Sequence, residues 1–191
     1  LDTSRGLGDV YKRQEENTKR TLWVAIADVA HYIKPETLLD DEAKARATSV
    51  YLPHAVLPML PSRLSDNLCS LRAKVPRLAM TVSMEIENDC TIGKVAAFES
   101  IIEVQENLSY EDALDNPKFQ NMMDLAEELR RNEIRLNLNS AELRPRVHED
   151  EITVNVKWPN KATEMIETFM VATNNSIGIL LGEKNAPLPW R

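Results

Sequence analysis

The chain has 191 residues, enough for one domain with a sizeable core or for part of a larger one, and its 43% apolar and 28% charged content is that of an ordinary soluble globular protein. No run approaches the ~18 consecutive apolar residues of a membrane span, no basic-then-apolar start marks a secretory signal, and two cysteines, Cys69 and Cys90, make neither a disulfide framework nor a metal motif, which fits a reducing cytoplasm. The net charge of −7 argues against a simple nucleic-acid binder, whose footprint is a basic patch, but not against an enzyme that holds cations with carboxylates inside an RNA channel.

In chain order, Ser4–Gln14 comes first and reads SRGLGDVYKRQ. This string resembles the in-frame translation of a transposase adapter used to prepare DNA sequencing libraries. Residues 1–14 are therefore set aside as adapter-derived or non-native, the alternative being a natural N-terminal arm. Leu22–Val29 is a short, nearly continuous apolar run and predicts a buried strand. Leu38–Ala47 predicts a helix with Thr37 as N-cap, Asp40, Asp41 and Glu42 near its positive end, and a Glu42–Arg46 surface pair. Pro53, Pro58 and Pro61 exclude regular helix or central strand across Tyr51–Arg63, which should be a rigid, extended surface loop.

Leu78–Glu87 alternates as a strand, with Leu78, Met80, Val82, Met84 and Ile86 on one side. Asn88-Asp89 makes a turn and Thr91–Val104 supplies the partner strand. Asn116-Pro117 opens a helix to about Ile134, with Phe119, Met122, Met123, Ala126 and Leu129 at helical spacing. A last helix spans about Lys161 to Leu181, with Ala162, Met165, Ile166, Phe169, Ile177 and Leu180 toward the core and Gly182 as its C′ stop. The order of elements implies an α+β fold, with sheet packed against helices.

Few residues offer chemistry by type and place alone. Tyr51 follows a helix end and precedes the proline-rich loop; its ring can stack on a base, or fill the core with its hydroxyl satisfied locally. Glu167 and Asn174 are seven residues apart and share one helix face, where they can hydrogen-bond a ribose or base edge or simply be solvated. Asp28 and His31, at a strand end, are either two members of a metal site or an aspartate tying down a loop. His54 and His148 have no evident partner, and Cys69 reads as core. None of the common nucleotide, zinc or nucleophile-elbow motifs occurs.

Three runs together resemble the catalytic RNB domain of the ribonuclease II/ribonuclease R family: LWVAIADVAHYIKP at Leu22–Pro35, ATSVYLPHAVLPMLPSRLSDNLCSL at Ala47–Leu71, and MIETFMVATN at Met165–Asn174. The resemblance covers about Glu15 to Arg191 and implies a partial RNB-type α+β domain in residues 15–191, with mixed sheet packed by helices and cut at both ends. It implies a processive hydrolytic 3′→5′ exoribonuclease that takes single-stranded RNA to nucleoside 5′-monophosphates. Magnesium held by aspartates would activate water and stabilise the departing oxygen. A cytoplasmic, monomeric protein with no membrane or DNA partner is expected.

The family's aspartates lie in a motif D-x-x-x-x-x-D-x-D-D upstream of the strand matching Leu22–Val29. Adapter-like residues stand there in this chain, so no catalytic or metal residue is assigned, Asp9 included. Tyr51 matches the family's tyrosine that stacks at the RNA 3′ end. Glu167 matches the first glutamate of I-E-E-F-M, which contacts the terminal nucleotide, while Thr168 replaces the second. The family's aromatic clamp falls near Leu138, where leucine offers apolar contact with weaker stacking. These departures leave a rival reading, a catalytically inactive RNB domain that binds RNA as a regulator. A further rival is an unrelated acidic interaction module.

Overall fold

The structure, a computed structural model, describes residues 10–16, 19–131, 140–148 and 151–187. Along the chain run strands β1 (Val10–Glu16) and β2 (Lys19–Ala27), helices α1 (Val29–Tyr32) and α2 (Leu38–Arg46), and short strands β3 (Val50–Tyr51) and β4 (Val56–Leu57). Strands β5 (Pro76–Ile86) and β6 (Ile92–Glu103) follow, then helices α3 (Tyr110–Leu114) and α4 (Gln120–Arg131), strands β7 (Glu142–His148) and β8 (Glu151–Lys157), and helix α5 (Lys161–Glu183). Two compact units result: one of Leu1–Ala27, Leu71–Arg135 and Asn160–Arg191, the other of Asp28–Ser70 and Leu136–Pro159. Among the described residues no helix is long and apolar enough to cross a membrane. The α+β class expected from the order of elements is the class observed.

In the first unit, four antiparallel strands lie in the order β1-β2-β5-β6. β2 is a central strand, which accounts for its nearly unbroken apolar run. Leu22 and Val24 point to the face that also carries Val82 and Met84, and these pack with Met122, Met123, Leu125, Ala126 and Leu129 of α4 and Met165 and Phe169 of α5. The strand ends at Ala27, short of the expected Val29, because Asp28 turns the chain: its side chain accepts a hydrogen bond from the His31 backbone N–H at 3.0 Å and caps α1. Residues 10–14, set aside above, form most of β1 and pair with β2 from Val10↔Ala25 onward. Such pairing runs through backbone groups and is open to most sequences.

Alternation along β5 holds for only half the strand. Val82, Met84 and Ile86 are buried as expected, but Met80 is 38% exposed. On the opposite face Ala79 and Thr81 are buried instead, where the Thr81 and Ser100 hydroxyls lie 2.6 Å apart and Ser100 Oγ donates to the Ala79 carbonyl at 3.0 Å. Period-two patterning marks which residues share a face; the reach of the covering helices decides how much of that face is dry. The turn to β6 places Cys90 at φ 63°, and Asp89 accepts from both the backbone N–H and the hydroxyl of Thr91, at 3.0 and 2.7 Å.

Asn116 caps a short 3-10 turn, Pro117–Phe119, that leads into α4; of the predicted apolar stripe Met122, Met123, Ala126 and Leu129 are buried in α4, while Phe119 sits in the turn and is only partly buried. Residues beyond Arg131 in that predicted helix lie outside the described residues. Arg20 of β2 ties sheet to helix: it donates to Glu128 at 2.7 Å, to the Glu87 carbonyl at 3.2 Å and to Cys90 Sγ at 3.2 Å. Arg130 pairs with Glu164 at 3.0 Å and joins α4 to α5.

α5 begins as predicted, with Asn160 and Thr163 forming a capping box. Its end differs. Gly182 lies inside the helix, and the left-handed residue that stops it is Asn185 at φ 53°. Asparagine tolerates this region because its short polar side chain bonds locally. The buried stripe is also less apolar than predicted: Thr168, Thr173 and Ser176 take core positions, while Ile177 is only partly buried. Thr168 and Thr173 satisfy their hydroxyls on the carbonyls of Glu164 and Phe169, at 2.8 and 2.7 Å, which makes burial tolerable.

The second unit carries α2 with the predicted Thr37 cap and the Glu42–Arg46 pair at 2.7 Å. Ala47 closes α2 in the left-handed region at φ 59°. The proline-rich stretch is not wholly irregular: β3 and β4 make a minimal ribbon, Val50↔Leu57 and Tyr51↔Val56. The β7–β8 ribbon and α3 have no counterpart in the predicted elements. Pro145 in β7 breaks the usual strand signature, yet an edge ribbon tolerates proline where its nitrogen faces away from the partner. α3 is signalled only by its capping box, Ser109 with Asp112.

Candidate functional site

Tyr51 stands on the β3–β4 ribbon, 71% exposed. The ribbon is stiff for its size. Leu52 N–H donates to the Ala55 carbonyl at 2.8 Å, closing a tip of Pro53 and His54. At the base, Arg46 Nη1 donates to the Pro58 carbonyl at 3.1 Å and Met59 N–H to Ser49 Oγ at 2.9 Å. Of the two readings of Tyr51, the core-filling ring is ruled out by its exposure. Its hydroxyl makes no hydrogen bond among the described residues. A ring held by paired backbone and left in water can take a flat partner without first being ordered.

Glu167 is exposed on α5, and Asn174, two turns further on, is exposed along the same line. The helix thus places both on one face, as the seven-residue spacing requires. Thr168 lies on the opposite side of this division, only 1% exposed. A second carboxylate at that position would have to be desolvated inside the core, whereas the threonine hydroxyl is met by its own helix. Tyr51 and Glu167 belong to different compact units. Leu138 lies outside the described residues, as does Asp9.

Asp28 and His31 come together as a loop tie. The Asp28 carboxylate, 7% exposed, caps α1 through the His31 backbone, and the His31 ring rests edge-on against Tyr32 with centroids 5.1 Å apart. No three His, Cys, Asp or Glu side chains gather to hold a metal among the described residues. Cys69 is half-buried rather than core; burial, and secondarily the charge of Asp28, pushes its thiol above the ordinary value. His54 is exposed at the ribbon tip, and His148 lies in β7. The predicted elements miss one surface feature: Leu143, Val154, Val156 and Trp158 are exposed on the β7–β8 ribbon and its exit, with Leu143 opposite Val156. The alternating valines of ITVNV were its sequence signal.

Comparison with known proteins gives one consistent answer. The model of the RNB domain family matches residues 7–191. Ribonuclease R of Mycoplasmopsis pulmonis is 33% identical over 187 residues, covering 89% of this chain and 26% of that protein. Ribonuclease R of Thermotoga maritima is 34% identical over 196 residues, covering 92% of this chain and 28% of that protein. In fold, the chain is similar along its whole length to Mycoplasma genitalium RNase R, solved in complex with ribose methylated single-stranded RNA, at a TM-score of 0.90, 29% identity and 33% coverage of that chain. The chain therefore spans roughly a quarter to a third of these relatives.

Proposed function

Because this chain belongs to the RNB domain family, we propose that its parent protein is a hydrolytic 3′→5′ exoribonuclease that degrades single-stranded RNA processively to nucleoside 5′-monophosphates. The observation that carries this reading is the family match across residues 7–191, in sequence and, at a TM-score of 0.90, in fold. The parent acts as a cytoplasmic monomer on RNA rather than DNA. Residues 15–191 are a partial catalytic domain behind an adapter-derived segment, and the fragment by itself is inactive.

Within the described residues, Tyr51 stacks on a base near the 3′ end. Stacking is worth ~1–3 kcal/mol per base and is indifferent to sequence. Glu167 accepts a hydrogen bond from a ribose hydroxyl of the terminal nucleotide, a contact that only RNA supplies in full. Leu138 adds apolar contact where an aromatic ring would clamp harder. Magnesium belongs to the proposal as the group that activates water. The described residues do not fit it, since no ligand set gathers among them. The aspartates that would hold it lie upstream of β2 by resemblance.

The test is an intact parent protein, purified and incubated with magnesium and a 5′-labelled unstructured RNA. Stepwise shortening to a small limit product, abolished by a chelator, is expected. A second reading, an inactive RNB domain that binds RNA as a regulator, draws on the buried Thr168 in place of a glutamate. RNA retained but never shortened would favour that reading, and neither binding nor shortening would overturn both.

A further inference from the structure

The β3–β4 ribbon loses its backbone ladder just below Tyr51. Pairing runs Tyr51↔Val56 and Val50↔Leu57, and the hydrogen bond from Leu52 N–H to the Ala55 carbonyl continues that register toward the tip. Extending the register one step toward the base sets Ser49 opposite Pro58, and proline has no N–H to donate. Two paired residues a side do not make a self-supporting ribbon, since even a longer isolated hairpin is marginally stable in water. Side chains stand in for the missing rungs. Arg46 Nη1 donates to the Pro58 carbonyl at 3.1 Å, and Ser49 Oγ accepts the Met59 N–H at 2.9 Å. Arg46 is itself aimed, because its Nε–H donates to Glu42 Oε1 at 2.7 Å, one turn back on α2.

Ala47 closes α2 at φ 59°, a region where residues with a β-carbon are strained, and this turn leads the chain from Arg46 straight into the ribbon. The Glu42–Arg46 pair is about half exposed at both partners, so it adds little to global stability. What it can decide is local order, because a short surface ribbon opens far more readily than a core. We infer that Arg46 and Ser49 are positioning residues for Tyr51: they hold in register the ribbon that presents the ring, and Glu42 orients Arg46. The inference rests on the stacking role proposed above. Neither residue contacts RNA itself, since the Arg46 guanidinium is already engaged by a carboxylate and a carbonyl and the Ser49 hydroxyl by a backbone N–H. A ribbon ordered only part of the time binds with an affinity reduced by that fraction, so loss of either brace weakens stacking without touching the ring.

The experiment is a double-mutant cycle on the 191-residue chain, read by fluorescence anisotropy with a labelled single-stranded RNA decamer. Arg46→Gln and Ser49→Ala should each weaken binding roughly three- to tenfold, the size of one hydrogen bond, without lowering the melting temperature. In a Tyr51→Ala background the same two substitutions should change nothing, because the ring they position is gone. Ser49→Thr, which keeps the hydroxyl, should bind as wild type does, and Arg46→Gln should keep the wild-type dependence of affinity on salt. Equal losses with and without Tyr51, or a salt slope about one unit shallower for Arg46→Gln, would overturn the inference; the shallower slope would make Arg46 a direct phosphate contact. Weakened binding by Tyr51→Ala, with Arg46→Gln and Ser49→Ala both unchanged, would overturn it and leave the stacking role intact. A Tyr51→Ala chain that binds like wild type would overturn the stacking role and the inference with it. A wild-type chain that binds no decamer would overturn the RNA reading itself.

Discussion

Truncating Tyr51 to alanine is expected to leave folding stability nearly unchanged while weakening single-stranded RNA binding. The magnitudes follow from exposure. Fully burying a large apolar side chain is worth about 1.5–3 kcal/mol, and Tyr51 is already 71% exposed. Less than a third of that term can be lost, so the fold should weaken by no more than about 1 kcal/mol. Its hydroxyl contributes no hydrogen bond among the described residues, so no buried partner is orphaned. Stacking on one base is worth about 1–3 kcal/mol, which corresponds to a roughly five- to 150-fold loss in affinity. Urea denaturation of wild type and Tyr51→Ala gives the first quantity, and fluorescence anisotropy with a labelled oligoribonucleotide gives the second. In the exoribonuclease proposed as its parent, the same variant should shift the length of the limit product without abolishing hydrolysis. A variant that is destabilised by several kcal/mol yet binds RNA as before would refute the argument, because it would show the ring working for the fold and not for a ligand.

Two further perturbations probe the frame around the site. Phe169→Ala, at a position with 0% exposure beneath the sheet, should cost about 3–5 kcal/mol; a urea midpoint indistinguishable from wild type would show that α5 does not close the core as described. Asp89 has its carboxyl held below the ordinary value by the Thr91 hydroxyl first and the Thr91 backbone N–H second. A depressed folded-state value means this contribution is present above the unfolded carboxylate pKa and fades as pH falls through the folded one. Thr91→Val should therefore flatten the acid limb of a melting-temperature profile, and a profile parallel to wild type between neutral pH and pH ~3 would remove the turn from the account.

Much of this molecule is legible from residues alone because its signals are local. Thr37, Asn116 and Asn160 each meet a backbone N–H within three residues, so three helix starts need no knowledge of distant chain. The apolar stripe of α4 repeats with the period of the helix that buries it. The runs at Leu22–Pro35, Ala47–Leu71 and Met165–Asn174 carry the family resemblance that the comparisons return. Where a cap has two chemical solutions, local reading chooses wrongly: Gly182 is the better left-handed residue, yet Asn185 takes the role.

What only the folded chain decides is which side of each pattern is wet. Met80 and Val82 obey the same alternation along β5, but helices reach only one of them. Thr168 and Glu167 are adjacent, and a rotation of about 100° per residue puts one in the core and the other at the surface, where the core lies being set by α4 and the sheet. Tyr51 could be read as core or platform until the ribbon carrying it left the ring in water. Residue identity and spacing determine caps, periods and kinship because those depend on neighbours a few bonds away. Exposure depends on which distant surfaces meet, and that is settled only when the whole chain has packed.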